Sequence, residues 1–324
     1  TSAHTFYWRR MKSLPEVNAV IPIQQHLAMC QKIRHYAWPM CVNSKLTDSY
    51  LEFNKLYPKT YAAIETNGLA VNNTFKIPAL VSNGRVYSKY NYHTTTGRPS
   101  NSFGGFNYAA MNKEDGTRSA FISRHDNGAL IEMDFDSYHL RLIAKLIGYE
   151  FPPTSIHDYL GQFYFGVDEL TDDQRNESKS ITFRLLYGGI DKEFLSIPFF
   201  QQVNDFVFDL WNIWKRKSYI TTPIIGRRIH KDQVSNMTSF KLFNYYLQAT
   251  ETEVSTKKLA QLQDYLKDHK TCIILYTYDS VLFDVPLSEA KHVLPEIKTI
   301  MQHGNFPVKC KVGDIYDKMS TITL

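Results

Sequence analysis

Cysteine is scarce: Cys30, Cys41, Cys272 and Cys310 are the four in 324 residues, far apart and without a CxxC pair. That spacing argues against a zinc ribbon or a disulfide scaffold and fits a reducing compartment. Long apolar runs are missing too, since none approaches the roughly 18 residues of a membrane span, and no signal peptide is visible. The eleven histidines are scattered with no HExxH or other paired metal spacing, so they read mostly as surface or core residues. Internal repeats and low-complexity segments are absent. The Asn-x-Ser/Thr matches at Asn72, Asn176 and Asn236 carry no weight in a chain without a secretion signal.

What is present is the composition of a folded protein, with 43% hydrophobic and 21% charged residues. At roughly 100 to 200 residues per domain the chain holds two or three subdomains. Thirty-seven Lys and Arg against 32 Asp and Glu give a net charge of +5. That excess suits a polyanion partner without identifying one. The chain opens on Thr1 rather than Met, which reads as a fragment or a processed piece.

Residues 15–75 read as a small helical arm punctuated by Pro15, Pro22 and Pro39. From 76 to 127 short β-prone pieces and turns take over, with Gly97, Gly104 and Gly105 breaking any helix. ALIEMDF (129–135) is a strand that passes directly into a helix, SYHLRLIAKLIG. Helices are expected over 172–187, with Asp172 and Asp173 at its favourable end, over 199–217, and over 240–269. CIILYTYDSVLFDVP (272–286) reads as two strands around a turn at Asp279 and Ser280.

Two aspartates, Asp134 and Asp279, sit where apolar strands end or turn. A sheet edge holds such carboxylates rigidly, as two hard cations about 3.5–4 Å apart would require; an Asp in that place also caps turns and helices. Arg175, Lys179, Phe183 and Tyr187 recur every fourth residue and so lie along one slanting stripe of a helix. Two cations followed by two aromatics suit a triphosphate and a stacked base, or else a solvated face with its rings turned inward. Arg9-Arg10, Lys215-Arg216-Lys217, Arg227-Arg228 and Lys257-Lys258 are candidate phosphate contacts.

Seven segments in order resemble the polymerase domain of family A DNA polymerases, over roughly 57–286. TTTGRPSN (94–101) resembles the TxTGRLSS segment, and IEMDFDSYHLRLIAKL (131–146) resembles motif A with its aspartate at Asp134. SIHDYLGQFYFG (155–166) is similar to DIHxxTAxxVFG, with Ser155 in place of the first Asp. RNESKSITFRLLYGG (175–189) matches the motif B pattern RxxxKxxxFxxxYG. TTPIIGRRI resembles TxxGRRR, NYYLQATETE (244–253) resembles NxPIQGTAAD, and YTYDSVLFDVP (276–286) resembles motif C, LxVHDExVFEVP.

The resemblance implies an α+β right-hand polymerase core: a short helical thumb in 1–75, an antiparallel palm from 76–165 and 222–324, and helical fingers in 166–221. It implies template-directed DNA synthesis on primer–template DNA with dNTPs and two Mg²⁺ ions, for which Mn²⁺ substitutes. Asp134, Asp279 and the backbone carbonyl of Phe135 would hold the metals. Arg175, Lys179, Phe183, Tyr187 and His139 would bind the dNTP, with Lys179 donating a proton to pyrophosphate. Arg98, Arg227, Arg228, Asn244, Gln248 and Tyr278 would contact DNA. An intracellular, cytoplasmic location in a bacterium or phage-infected cell goes with this, and residues 1–75 are too few for an exonuclease domain.

Besides Ser155, three departures from the family pattern stand out. His139 stands where motif A carries the glutamate that blocks a 2′-hydroxyl; Tyr278-Asp279-Ser280 replaces His-Asp-Glu, leaving Asp136 or Asp284 to compensate; and Phe240 replaces an Arg before Asn244. A single-subunit RNA polymerase and a non-catalytic nucleic-acid-binding protein on the same fold are the alternative readings.

Overall fold

Two antiparallel sheets and a helical layer are built from residues 48–324, apart from 93, 102–105, 113–114 and 303–305; residues 23, 24, 27, 28, 31 and 35 are also described in this computed structural model. The larger sheet has five strands in the order β11-β10-β5-β9-β8: β5 (Gly128–Phe135), β8 (Cys272–Thr277), β9 (Ser280–Pro286), β10 (Val308–Gly313) and β11 (Ser320–Ile322). The smaller sheet, in the order β2-β3-β1-β4, collects β1 (Leu69–Val71), β2 (Val81–Ser82), β3 (Arg85–Val86) and β4 (Phe121–Ile122). A hairpin of β6 (Tyr219–Thr221) and β7 (Arg228–His230) stands apart from both.

Alternation along β5 decides what each face does. Ala129, Ile131, Met133 and Phe135 point to the main core, while Leu130, on the other face, packs with Leu282, Ile274 and Leu275 in a second core that includes Leu69, Phe75 and Phe121 of the smaller sheet. Glu132 and Asp134 share the face of Leu130 by the same period. Full burial of each such apolar side chain contributes about 1.5–3 kcal/mol, so a one-residue slip of this register is costly.

The main core is covered by α1 (Asp48–Asn67), α2 (Tyr138–Ile147), α3 (Ile156–Phe165), α4 (Asp172–Gly188), α5 (Pro198–Lys217), α6 (Ser239–Leu266) and α7 (Leu287–Met301). Their ends obey local chemistry. Thr171 and Gln174 form a capping box at the start of α4, and the Thr238 side chain accepts from Lys241 N–H at the start of α6. The α3–α4 approach needs Gly161, where a Cβ would lie 2.2 Å from Leu170 and 3.2 Å from Ser178.

The expected strand, helices and β-prone region are all present, with two corrections. The turn between β8 and β9 is Tyr278-Asp279, not Asp279-Ser280: Ser280 already pairs with Thr277 and Asp134. Residues 69–71, inside the segment read as helical, form β1, because Leu69 and Ala70 are buried where an extended chain reaches the second core. Helix α1 is an integral part of the main core, with Tyr57 and Tyr61 buried and the Tyr61 hydroxyl 3.2 Å from Thr256 Oγ1 of α6. The expected boundary at 221 falls within the β6–β7 hairpin. Pro15, Pro22, Pro39, Cys30, Cys41, Arg9, Arg10, Gly104 and Gly105 lie outside the described residues.

Candidate active site

The two aspartates read from the sequence meet at one end of the large sheet. Asp134 is the penultimate residue of β5, opposite Ser280 on one side and Lys309 on the other; Asp279 directly precedes Ser280, and its carbonyl accepts from Phe135 N–H at 3.4 Å. The turn that delivers Asp279 is tight, and Tyr278 adopts φ 61°, the left-handed region. A bulky non-glycine residue there is strained by about 1–3 kcal/mol. Arg98 lies over the Tyr278 ring, 4.0 Å from its centroid, a contact that helps hold the turn.

A cavity of about 600 Å³ opens beside the carboxylates. It is lined by Arg98, Asp134, Phe135, His139, Lys179, Phe183, Tyr187, Asn244, Gln248 and Asp279 among the expected residues, and also by Asp136, His157 and Lys309. Lys179, Phe183 and Tyr187 come from the stripe of α4, and the rings of Phe183 and Tyr187 stack with centroids 5.8 Å apart and planes 5° from parallel. Both rings are partly exposed to the cavity side, at 39% and 37%. The helix face of α6 supplies Asn244 and Gln248; Asn244 Nδ2 donates to the Tyr187 carbonyl at 3.2 Å, and Gln248 accepts from Thr96 Oγ1 at 3.4 Å.

Four expected residues lie off this wall. Arg175, at the far end of the stripe, donates to Asp158 at 2.6 Å and to Asp172 at 2.8 Å, and borders a separate cavity. Arg227 sits under Gly97, where a Cβ would come within 2.6 Å of its guanidinium, and its Nε is 3.8 Å from Glu253. Arg228 stands over the Tyr219 ring on the hairpin. Tyr278 joins the site through Arg98 rather than by lining it.

Electrostatics mark the same place. Burial, then the neighbouring Asp279 and Glu132, pushes the Asp134 carboxyl up to about 7. Asp279 is also raised, by burial and then by Glu251. His157 is lowered to about 4 by burial and then by Lys179, so its ring is neutral in the cavity wall. Of the two carboxylates thought able to compensate in motif C, Asp284 belongs elsewhere: it is fully buried at the other end of β9, held by Ser123 Oγ at 2.6 Å and Arg124 Nε at 2.9 Å. Asp136 does line the cavity and pairs with Arg141 and Lys309.

Sequence reasoning missed Glu251 and Glu253. Glu251, buried on α6, takes His139 Nε2 on one oxygen at 2.8 Å and Arg98 Nη2 on the other at 3.2 Å, while His139 Nδ1 and the Tyr187 hydroxyl share a hydrogen bond. The signal was available: Asn244, Gln248 and Glu251 follow the i, i+4, i+7 spacing of one helix face. Glu253, also buried, accepts from Thr222 Oγ1 at 2.7 Å and Ile225 N–H at 3.3 Å.

The fold is that of a right-hand polymerase core, an α+β arrangement in which an antiparallel sheet carries the carboxylates and a helical layer faces them. It is similar to the solved POL domain of Pol1 from M. smegmatis in complex with DNA primer-template and dNTP, with a TM-score of 0.63 at 20% identity over 74% of this chain and 50% of that one. In sequence the chain resembles DNA polymerase I of Bacillus subtilis (23% identical over 255 residues, 68% of this chain and 29% of the relative) and of Synechocystis (24% over 282 residues, 70% and 28%). The resemblance to family A DNA polymerases thus holds in sequence and in fold. The chain spans under a third of the length of these curated relatives. No family model matches it.

Proposed function

We propose that this chain is a template-directed DNA polymerase that adds dNTPs to a primer 3′-hydroxyl. The observation that carries this reading is the meeting of Asp134 and Asp279 with Lys179, Phe183 and Tyr187 around one cavity. The five-stranded sheet serves as palm and α4 with α5 as fingers.

The donor set fits two Mg²⁺ ions. Two half-buried carboxylates with raised proton affinity are short of positive charge, and they face the same cavity with open space beside them. Such a half-filled oxygen shell suits Mg²⁺, which keeps waters and takes substrate phosphates as ligands; Asp134, Asp279 and the Phe135 carbonyl would hold it, and Mn²⁺ would substitute. When bound, the ions lower the pKa of the primer hydroxyl and neutralise charge on the leaving pyrophosphate.

The remaining roles fall to the chain. Lys179 faces the triphosphate and donates its proton to pyrophosphate. Arg175 reaches the phosphates only by exchanging Asp158 and Asp172 for them. The Phe183–Tyr187 stack receives the base and sugar, and His139 stands beside the sugar. Arg98, Asn244 and Gln248 meet the minor groove at the primer end, where acceptors common to all base pairs allow a check of shape without sequence preference. Arg227, Arg228 and Tyr278 support the DNA nearby. No helix among the described residues is long and apolar enough to cross a membrane, and a cytoplasmic location goes with this reading.

The test is pyrophosphate release on primer–template DNA with dNTPs and Mg²⁺. Asp279→Ala is expected to lower the rate by roughly a thousandfold or more, as removal of a metal-holding carboxylate does. Release that survives the substitution contradicts the assignment.

A further inference from the structure

A carboxylate closed off from water must be paired on both oxygens or it destabilises the fold. Glu251 meets that demand by joining two parts of the cavity wall: His139 from α2 on one oxygen and Arg98 on the other. A carboxylate accepts hydrogen bonds, so His139 Nε2 carries a proton toward Glu251, and Nδ1 is turned to the Tyr187 hydroxyl. With a partner at each nitrogen, the imidazole is fixed in both position and plane. It lines the cavity, bonded to Tyr187 of the aromatic stack and within electrostatic reach of Asp279, so a nucleotide with its phosphate at the carboxylates and its base at the stack would bring its sugar to the imidazole.

We propose that Glu251 and His139 act as one unit that reads the 2′ position of the incoming nucleotide, with His139 touching the sugar and Glu251 as its positioning residue. This rests on the polymerase reading above. The family pattern has glutamate where His139 stands and alanine where Glu251 stands, in the NxPIQGTAAD segment. Here the carboxylate sits on the opposite wall of the same contact, and the imidazole extends it into the cavity. Nothing in the pattern at either position alone discloses the exchange; the 2.8 Å contact between residues 112 apart does.

The experiment compares kcat/KM for dATP and ATP opposite template thymine, on primer–template DNA with Mg²⁺. The wild-type chain prefers dATP. Glu251→Ala and His139→Ala are each expected to lower that preference by roughly 10–100-fold, the worth of a charge-assisted hydrogen bond, and the double variant to lower it no further than either alone. His139→Glu with Glu251→Ala, which restores the family arrangement, is expected to recover most of the preference. Glu251→Gln keeps the shape of the buried side chain, so it carries the comparison should the alanine variant not fold. It sets an amide N–H against Arg98 or His139 and is expected to lower the preference by a smaller factor. In wild type the hydrogen-bonded Nε2–H proton of His139 is expected as a downfield resonance that Glu251→Ala abolishes.

A preference unchanged within twofold in the Glu251 variants, or losses that multiply in the double variant, overturns the inference while leaving the polymerase reading intact. A wild-type chain that adds neither nucleotide overturns that reading, and the inference falls with it.

Discussion

Asp134 holds a proton that the unfolded chain would release. Its folded value of about 7 lies above the ordinary 3.8, because burial and the charges of Asp279 and Glu132 oppose ionisation. The sign follows from proton counting. Between those two values the folded state binds more protons than the unfolded one, so stability from this group is full below the ordinary carboxylate value and is lost as pH rises through about 7. In chelator, Asp134→Asn is expected to be the more stable protein at pH 8 by about 1–3 kcal/mol, seen as a melting temperature higher by about 2–6 °C. Melting curves with the same pH slope for both would show that the carboxyl is not under this strain. At this scale Asp134 and Asp279 were legible because a strand end is where a sequence pattern points a carboxylate into a fixed place. Glu251 was not, since its meaning depends on a histidine 112 residues away that only the folded chain brings to it.

Among the elements, α6 does the most joining. One face sends Asn244, Gln248 and Glu251 toward the cavity, and Glu253, about 200° around the helix from Glu251, ties the helix to the β6–β7 hairpin. Burial raises Glu253 to about 7 even though Thr222, Arg227 and Ile225 N–H favour its charged form, and the 3.8 Å separation from Arg227 Nε explains why the pairing does not win. Glu253→Ala is expected to cost about 2–4 kcal/mol in denaturant melts, because Thr222 and Arg227 lose a buried partner, with Glu253→Gln costing less; equal stability of both to wild type would remove Glu253 from this role. The helices themselves were readable from periodicity and, for α4, from the acidic pair Asp172 and Asp173 at its start. Boundaries were less so: Ser280 looks like a turn residue until the register opposite Asp134 claims it for β9, and Leu69 to Val71 read as the tail of a helix until the smaller sheet recruits them. The stripe of α4 was seen as a unit, yet Asp158 on α3 draws its first cation away, a tertiary contact that spacing along one helix does not contain.

For the whole molecule, two sheets of unequal size share the strand face of Leu130, and the helical layer covers the other face of the large sheet, so the end of β5 and the β8–β9 turn is the place where both layers stop. That geometry leaves a cavity lined by carboxylates, cations and aromatics together. A net charge of +5 is a modest aid in approaching a polyanion; the specific work falls to residues gathered at the cavity. The most direct measurement is single-nucleotide addition to a labelled primer on four templates that differ in the first unpaired base, with Mg²⁺ and each dNTP in turn. The account predicts addition of the complementary dNTP on each template and loss of addition in Asp134→Ala and Asp279→Ala; addition that ignores the template base, or that persists without the two carboxylates, would contradict it.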